Sequence, residues 1–242
     1  MKILRRLIIK SRKLVKRILL FLRVKKLFSR HYYSEDGEDV LLETFYEHIG
    51  NSYKGFYIDI GAYHPIIFSN TQLFYEKGWR GINIDATPGA MKIFNRLRSR
   101  DINIEAGVSN AYGELEFYYY GKYSTGNTFS KSLSQERDDF IKFEKIIRVK
   151  VQPINDLLEK YLPQGQHIDF ISMDVEDFEW IILETFDFEK YAPDYFLIEE
   201  LEYENKDFMG YNATQIYTHL KAKGYMVVAK TRRTVFFKKV GL

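Results

Sequence analysis

Acidic residues stand at the ends of four short apolar segments of this chain: Asp59, Asp85, Asp174 with Glu176, and Glu199 with Glu200. Short apolar segments separated by helix-length spacers are typical of buried parallel strands in an α/β sheet. Ligands of such a sheet bind beyond the carboxyl ends of the strands, where the strand order reverses. We therefore expect these carboxylates to surround one crevice, although any one of them alone could be a helix N-cap or a solvated charge.

The turn after Asp59 contains a single glycine and reads Gly61-Ala62-Tyr63-His64-Pro65. A pyrophosphate cradle has the pattern G-x-G-x-x-G, because its backbone must approach the phosphates closely. Tyr63 and Pro65 would obstruct a diphosphate, and the anionic Asp59 would repel it. A cofactor with a cationic amino-acid moiety suits Asp59 better. The turn therefore favours S-adenosylmethionine over NAD.

Asp85 lies 26 residues after Asp59, at the end of the second apolar segment. An acid at this position commonly accepts hydrogen bonds from ribose hydroxyls. Because different nucleotide cofactors share this geometry, Asp85 predicts a ribose but does not discriminate among cofactors.

The elements that must position these acids alternate along the chain. Strands are predicted at 55–60, 81–85 and 102–106, with helices over 69–77 and 90–98 between them, and further strands at 167–173 and 195–198. This order predicts a mostly parallel α/β sheet. Strands at 225–229 and 234–238 complete it as an antiparallel C-terminal edge.

Residues 107–152 break this alternation. We interpret them as a β insertion that carries an extra strand pair and a polar, lid-like loop, because loops of this length in compact domains are often lids or binding loops. The domain prediction is therefore a basic N-terminal helix at 1–30 and one α/β domain at 31–242.

The first 30 residues contain 12 Lys/Arg and no Asp/Glu, whereas the remainder has 24 basic against 33 acidic residues, a net charge of −9. Their leucines and isoleucines recur at helical spacing. The longest uncharged run, 18–22, is far below the roughly 20 residues that span a bilayer. A basic amphipathic helix on an anionic membrane surface is predicted. The alternatives are a helix docked on the acidic body or a partly ordered tail.

This charge pattern also bears on partners and location. A nucleic-acid partner is not expected, since the body around the predicted pocket is acidic. The absence of cysteine excludes disulfides and a cysteine nucleophile. We expect a cytoplasmic protein, and the membrane interpretation would place it peripherally on the inner face. The oligomeric state stays open.

The chain resembles the FkbM family of S-adenosylmethionine-dependent methyltransferases over roughly residues 32–200. Five ordered segments carry the resemblance: Tyr33-Ser34-Glu35-Asp36-Gly37-Glu38-Asp39, the turn from Asp59 to Pro65, Phe68-Ser69-Asn70-Thr71, the segment from Gly78 to Asp85, and Ile171-Ser172-Met173-Asp174-Val175-Glu176. The resemblance implies a Rossmann-like class I methyltransferase sheet. It also implies O-methylation of a hydroxyl on a sugar, a glycoconjugate or another small molecule.

The resemblance further implies the residues around the cofactor. Asp59, Gly61 and Ala62 would line its methionine end, together with Asn70. Asp85 would hold the ribose, with Ala86 near the adenine. Gly37 and Glu38 would close over the methionine end.

A hydroxyl acceptor must lose its proton as it attacks, so the site needs a base. Asp174 is the first candidate and Glu176 the next, since they match the acidic pair of the family near the point of methyl delivery. His64 is a third candidate, with a turn-capping histidine as the alternative. The chain departs from the family at Asp177, where relatives often have glycine.

A metal is not required for the displacement, although Asp174, Glu176 and Glu199 could present carboxylates to Mg²⁺. Two other functions stay open. One is a non-catalytic, membrane-associated scaffold with a degenerate Rossmann-like site. The other is an NAD-dependent oxidoreductase, which the missing glycines disfavour.

Overall fold

A computed structural model describes residues 13–20, 30–50, 52–137, 140–200 and 214–241. The chain divides into two units, 1–32 and 33–242. In the first unit, residues 13–20 are helical and every side chain is exposed. The rest of the predicted N-terminal helix, 1–12 and 21–29, lies outside the described residues. Across the described part of the chain, no helix is long and apolar enough to cross a bilayer.

The main sheet of the second unit has seven strands among the described residues. They are β1 Phe56–Ile60, β2 Arg80–Asp85, β3 Ile102–Glu105, β7 Phe170–Met173, β8 Tyr195–Glu199, β9 Tyr225–Lys230 and β10 Thr234–Lys239. Their order is β3-β2-β1-β7-β8-β10-β9. Strands β1, β2, β3, β7 and β8 are parallel, and β10 runs antiparallel to β8 and β9. The predicted Rossmann-like sheet with an antiparallel edge is confirmed.

The strand order reverses between β1 and β7. From β1 the chain proceeds outward to β2 and β3, and it later returns to the other side of β1 as β7. The carboxyl ends of β1 and β7 therefore flank the crevice in which ligands of an open α/β sheet bind.

Helices connect these strands, and two of them lie at the predicted places, 69–77 and 90–98. They are α1 Glu38–Tyr46, followed by the 3₁₀ turn Glu47–Ile49, then α2 Gln72–Glu76, α3 Met91–Leu97, α4 Lys131–Arg137, α5 Ile154–Tyr161, α6 Glu179–Leu183, α7 Phe188–Tyr191 and α8 Gln215–Ala222. The sequence pattern did not predict α4 or α7. Helix α4 lies in the segment predicted to be a polar loop.

The insertion forms a second sheet, with order β4-β6-β5 among the described residues. Its strands are β4 Gly107–Ser109, β5 Gly113–Tyr119 and β6 Lys145–Pro153. The predicted pair corresponds to β5 and β6, which are antiparallel, and β4 adds a parallel third strand. The amide of Ala106 donates to the carbonyl of Asp85 at 3.0 Å. This bond joins the start of the insertion to the end of β2.

Alternate residues of β1 face opposite sides of the main sheet, as strand geometry requires. Ile58 and Ile60 belong to one apolar cluster, which also contains Ile171 of β7. Tyr57 belongs to a second cluster, which contains Phe170. Because both faces are covered, β1, β7 and β8 are buried at every position, and so they appear in the sequence as continuous apolar runs.

Candidate functional site

A cavity of about 460 Å³ lies at the carboxyl ends of β1, β2, β7 and β8. This volume is within the range of small-molecule and cofactor sites, roughly 300–1,000 Å³. Five of the residues predicted for the site line it: Gly61, Asp85, Ala86, Asp174 and Glu176. The insertion covers its other side through side chains of β4, β5 and the segment 124–141. Of the predicted strand-end acids, Asp85, Asp174, Glu176 and Glu199 line the cavity, whereas Asp59 and Glu200 do not.

Gly61 is required by close packing inside the protein. Its φ is +84°, a conformation that glycine adopts without strain. A Cβ atom at this position would lie 1.7 Å from the carbonyl oxygen of Asp174. The amides of Gly61 and Ala62 both donate to the carbonyl of Ile84, at 2.9 and 3.1 Å. The turn is thus clamped between the ends of β2 and β7.

Asp85 faces the cavity from the end of β2. One carboxylate oxygen accepts the amide of Tyr63 at 2.9 Å, and the other accepts the amide of Thr87 at 2.7 Å. Burial raises the pKa of Asp85, and the bonds from Thr87 and Tyr63 oppose the rise. Because an ionised carboxylate has about four acceptor positions, Asp85 is oriented by the backbone and can still accept ligand hydroxyls.

Asp59 lies behind the turn and does not line the cavity. Its carboxylate accepts a hydrogen bond from the hydroxyl of Thr71 at 2.7 Å. Burial raises its pKa to about 6. The side-chain amide of Asn70 donates to the Ser172 hydroxyl at 3.0 Å and ties the loop after β1 to β7. Ala62 is likewise buried away from the cavity.

The segment before α1 contributes a residue that the sequence did not predict. Gly37 is the N-cap of α1, with φ of +87°. Glu38 is buried and accepts hydrogen bonds from the amide of Asp36 and from the hydroxyl of Thr231, at 2.9 and 2.6 Å. Neither Gly37 nor Glu38 lines the cavity, whereas Glu35 does. Glu38 anchors the segment that carries Glu35.

A carboxyl pair occupies the other end of the cavity. The side chain of Asp174 is exposed to solvent through the cavity that it lines, but the protein that forms the cavity wall surrounds its carboxyl group. Burial and the charge of Glu199, which is hydrogen-bonded to it, raise the pKa of Asp174 well above its usual range. Burial also raises the pKa of Glu199, to about 7. The two carboxyl groups therefore share a proton near neutral pH.

Glu176 forms an ion pair across the cavity with Arg137 of α4, at 2.5 Å. Burial and the charge of Asp174 raise the pKa of Glu176 to about 7, and Arg137 opposes that rise. The backbone here is left-handed, with φ of +57° at Glu176 and +74° at Asp177. Aspartate tolerates this conformation better than most residues, so Asp177 can occupy it.

The closest group of carboxylates differs from the predicted set. Oxygens of Asp174, Glu179 and Glu199 lie within 4.8 Å of one another and could together hold a cation. Glu179 replaces Glu176, which turns toward Arg137. Glu179 is buried at the start of α6 and accepts the amide of Val175 at 2.8 Å. Its burial raises its pKa well above the usual range.

His64 caps the turn instead of facing the cavity. Its Nδ1 accepts the amides of Ile66 and Ile67, at 3.1 and 3.0 Å. Partial burial lowers its pKa, consistent with a neutral ring that accepts at Nδ1. The geometry supports the turn-capping alternative and gives no support to His64 as the base.

The segment 121–137 bridges both rims of the cavity. The side-chain amide of Asn127 donates to the Thr87 hydroxyl at 3.2 Å, and the Thr128 hydroxyl donates to the carbonyl of Glu176 at 3.2 Å. The Tyr63 hydroxyl donates to the carbonyl of Tyr123 at 3.0 Å. These bonds hold the polar segment over the site.

A mostly parallel α/β sheet with an oriented acid at the end of its second strand, facing a cavity at the switch point, is the architecture of a Rossmann-like fold. The family model described as "Methyltransferase FkbM domain" matches residues 59–227, and the chain belongs to this methyltransferase family. The predicted resemblance is therefore confirmed. Searches of curated proteins and of solved structures return no match.

Proposed function

We propose that this protein is an S-adenosylmethionine-dependent O-methyltransferase that acts on a hydroxyl of a sugar, a glycoconjugate or another small molecule. The observation that carries the proposal is one cavity with Asp85 at one end and the Asp174–Glu199 pair at the other. The first suits a ribose. The second suits a group that must lose a proton.

The residues present fit the cofactor. Asp85 would hold the ribose hydroxyls. Apolar side chains near it, Val108 and Phe117 among them, offer a wall for the adenine. Gly61 lines the cavity beside the acidic end, which suits a cationic methionine moiety. When bound, the cofactor supplies an electrophilic methyl group.

The protein's own contribution is to orient the acceptor and to take its proton. The Asp174–Glu199 pair holds one proton between two carboxyl groups, so it can both donate a hydrogen bond to an acceptor and receive the hydroxyl proton. Polar side chains of the covering segment, Ser124 and Thr125 among them, line the cavity and can bind further hydroxyls. Holding the acceptor in line supplies several kcal/mol of the barrier reduction.

The competing functions have less support. An NAD-dependent oxidoreductase would need close approach of a diphosphate to the turn, where Tyr63 has left-handed backbone and a ring that lines the cavity. A non-catalytic scaffold would not require two carboxyl groups in contact at the end of the cavity, where their charges repel each other.

Calorimetry with S-adenosylhomocysteine tests the cofactor. We expect the wild-type chain to bind it and Asp85→Ala to lose binding. Glu189→Ala, which removes an exposed acid on α7, should bind like wild type. A wild-type chain that binds none would refute the enzyme proposal.

A methyl-transfer screen against sugar hydroxyls tests the acceptor end. Asp174→Asn and Glu199→Gln should each bind S-adenosylhomocysteine and each lower turnover. If both turn over like wild type, the pair is not the proton acceptor.

We further propose that the N-terminal segment binds an anionic membrane surface, which would suit a lipid-linked acceptor. In the helical residues 13–20, Leu14, Ile18 and Leu19 are about half exposed or more, and the basic residues Lys13, Lys16 and Arg17 are exposed beside them. Exposed apolar and basic side chains together favour anionic lipid.

Vesicle pelleting of the full chain tests this proposal. Replacing Lys13, Lys16 and Arg17 by glutamate should reduce pelleting with phosphatidylserine vesicles. The control replaces three exposed lysines of the second unit by glutamate: Lys92, Lys142 and Lys221. Equal partitioning of both variants would contradict membrane binding by the segment.

A further inference from the structure

Arg98 is completely buried at the end of α3, although burying a guanidinium is costly. Its Nε donates to the carboxylate of Asp101 at 2.9 Å. One terminal nitrogen donates to the carbonyl of Pro65 at 3.1 Å and to the Gln72 side chain at 3.4 Å. The other donates to the hydroxyls of Tyr57 and Thr71, at 2.6 and 3.1 Å. All five guanidinium hydrogens thus have acceptors among the described residues.

Asp101 neutralises the charge of Arg98 and connects it by hydrogen bonds to the main sheet. The same Asp101 oxygen accepts from the Tyr57 hydroxyl at 2.8 Å and from the Asn83 amide at 3.0 Å. The other oxygen accepts the amide of Gly81 at 3.0 Å. The charge pair is therefore fixed to β1 and β2.

The hydroxyl of Thr71 connects Arg98 to Asp59. A hydroxyl has one hydrogen, and Thr71 donates it to Asp59 at 2.7 Å while its oxygen accepts from Arg98. By occupying the acceptor side of Thr71, Arg98 directs the Thr71 hydrogen toward Asp59. Through Pro65 and Thr71, Arg98 also holds both ends of the loop that follows Gly61.

We propose that Arg98 is a positioning residue for the cofactor, which fixes Asp59 through the Thr71 hydroxyl and the cofactor turn through the Pro65 carbonyl. This inference rests on the proposed function, which places the turn at Gly61 at the methionine end of S-adenosylmethionine, with Asp59 buried behind that turn.

Asp59 needs such support because acidic groups approach it from several elements. Burial and the charges of Asp101 and Asp85 raise the pKa of Asp59 to about 6, against the opposing effects of the Thr71 hydrogen bond and the Arg98 charge. Asp174, which follows β7, also interacts with Asp59. Losing the Thr71 hydrogen bond or the Arg98 charge should therefore raise the pKa of Asp59.

Thr71→Val tests the relay, because it removes the hydroxyl and keeps both the shape of the side chain and the Arg98–Asp101 pair. Thr71→Ser is the conservative control. Arg98→Lys keeps the positive charge but loses the planar guanidinium group that donates to several acceptors at once. Circular dichroism and urea denaturation establish that each variant is folded, and calorimetry at pH 6, 7, 8 and 9 measures affinity for S-adenosylhomocysteine.

Losing a hydrogen bond to a charged group typically weakens binding by roughly tenfold or more. We expect Thr71→Val to bind about tenfold more weakly at pH 7 and to approach wild-type affinity at pH 9, where Asp59 ionises. Arg98→Lys should fall between Thr71→Val and wild type, because it keeps the charge near Asp59 but no longer orients the Thr71 hydroxyl and the Pro65 carbonyl. Thr71→Ser should follow the wild-type profile. The double variant should lose no more than the worse single variant, because both changes interrupt one relay.

Three results would overturn the proposal. The first is a folded Thr71→Val variant with wild-type affinity and pH profile. The second is an equal loss at every pH with a matching loss of stability, which would indicate a structural role only. The third is a wild-type chain that binds no S-adenosylhomocysteine, and that result would refute the proposed function as well. In the first two cases the wild type still binds, so the two failures are distinguishable.

Discussion

Replacing Gly61 by alanine should destabilise the fold and displace the site together. Left-handed backbone costs an L-residue roughly 1–2 kcal/mol. At Gly61 the added Cβ would also lie 1.7 Å from the Asp174 carbonyl oxygen. Forcing packed backbone apart costs a further 1–3 kcal/mol, approximately. We therefore expect Gly61→Ala to lower the free energy of unfolding by roughly 2–5 kcal/mol, a large part of the total of about 5–15 kcal/mol.

Gly224 offers a matched control. Its φ is also +84°, and no described atom lies within 4 Å of its Cβ position. Gly224→Ala should therefore lose only the backbone cost, roughly 1–2 kcal/mol. Urea denaturation of both variants measures the difference, which isolates the clash with Asp174. Equal losses would refute the argument that the end of β7 requires a glycine here.

The clash at Gly61 should also lower the rate of methyl transfer, because it displaces Asp174. The Asp174 amide donates to the carbonyl of Ile60 at 3.0 Å, so the end of β7 is bonded to β1. To relieve the clash, the Asp174 carbonyl must retreat toward ordinary contact, near 3.4 Å, and its carboxyl group moves with it. Methyl transfer by folded Gly61→Ala should fall, whereas Gly224→Ala should retain it.

Three further predictions follow from the acidic end of the cavity. The pKa of Glu199 is about 7 against an ordinary 4.5, so its contribution to stability is present below pH 4.5 and lost as the pH rises through 7. Glu199→Gln should therefore exceed wild type in stability at pH 8 by roughly 1–3 kcal/mol and match it at pH 4.5, as measured by urea denaturation. Arg137→Met should raise the acceptor KM about tenfold with little change in S-adenosylhomocysteine affinity, because it breaks the ion pair with Glu176. Dialysis against EDTA should leave transfer unchanged, and loss restored by Mg²⁺ would instead assign a cation to Asp174, Glu179 and Glu199.

The parts of the site predictable from sequence are those formed by neighbouring residues. Asp85 is the last residue of β2. Its two hydrogen-bond donors are the backbone amides of Tyr63 and Thr87, which come shortly after β1 and β2. Strand ends can be located from apolar runs and turns, so this corner of the cavity was predicted. The role of Gly61 was only partly foreseen, because the group that excludes a side chain is the carbonyl of Asp174, far away in the sequence.

Contacts between distant segments were not predicted. Arg137 comes from a polar stretch that showed no helical pattern, and its partner Glu176 lies 39 residues later. Glu179 was not among the predicted site residues, and only the fold brings its carboxyl oxygens within 4.8 Å of those of Asp174 and Glu199. Arg98 was predicted only as the last residue of a helix. Its burial depends on Tyr57 and Asp101, whose pairing across the sheet leaves no local signal.

The two ends of the cavity are therefore built differently, and this bears on how the protein can change. At the Asp85 end, backbone amides orient the carboxylate, so most substitutions around it leave the geometry intact. At the Asp174 end, side chains from β8, α4 and the turn after β9 meet, including Glu199, Arg137 and Arg233. Under the proposed function, substitutions at the Asp174 end would change the acceptor site, whereas the Asp85 end would keep the backbone bonds that orient its carboxylate.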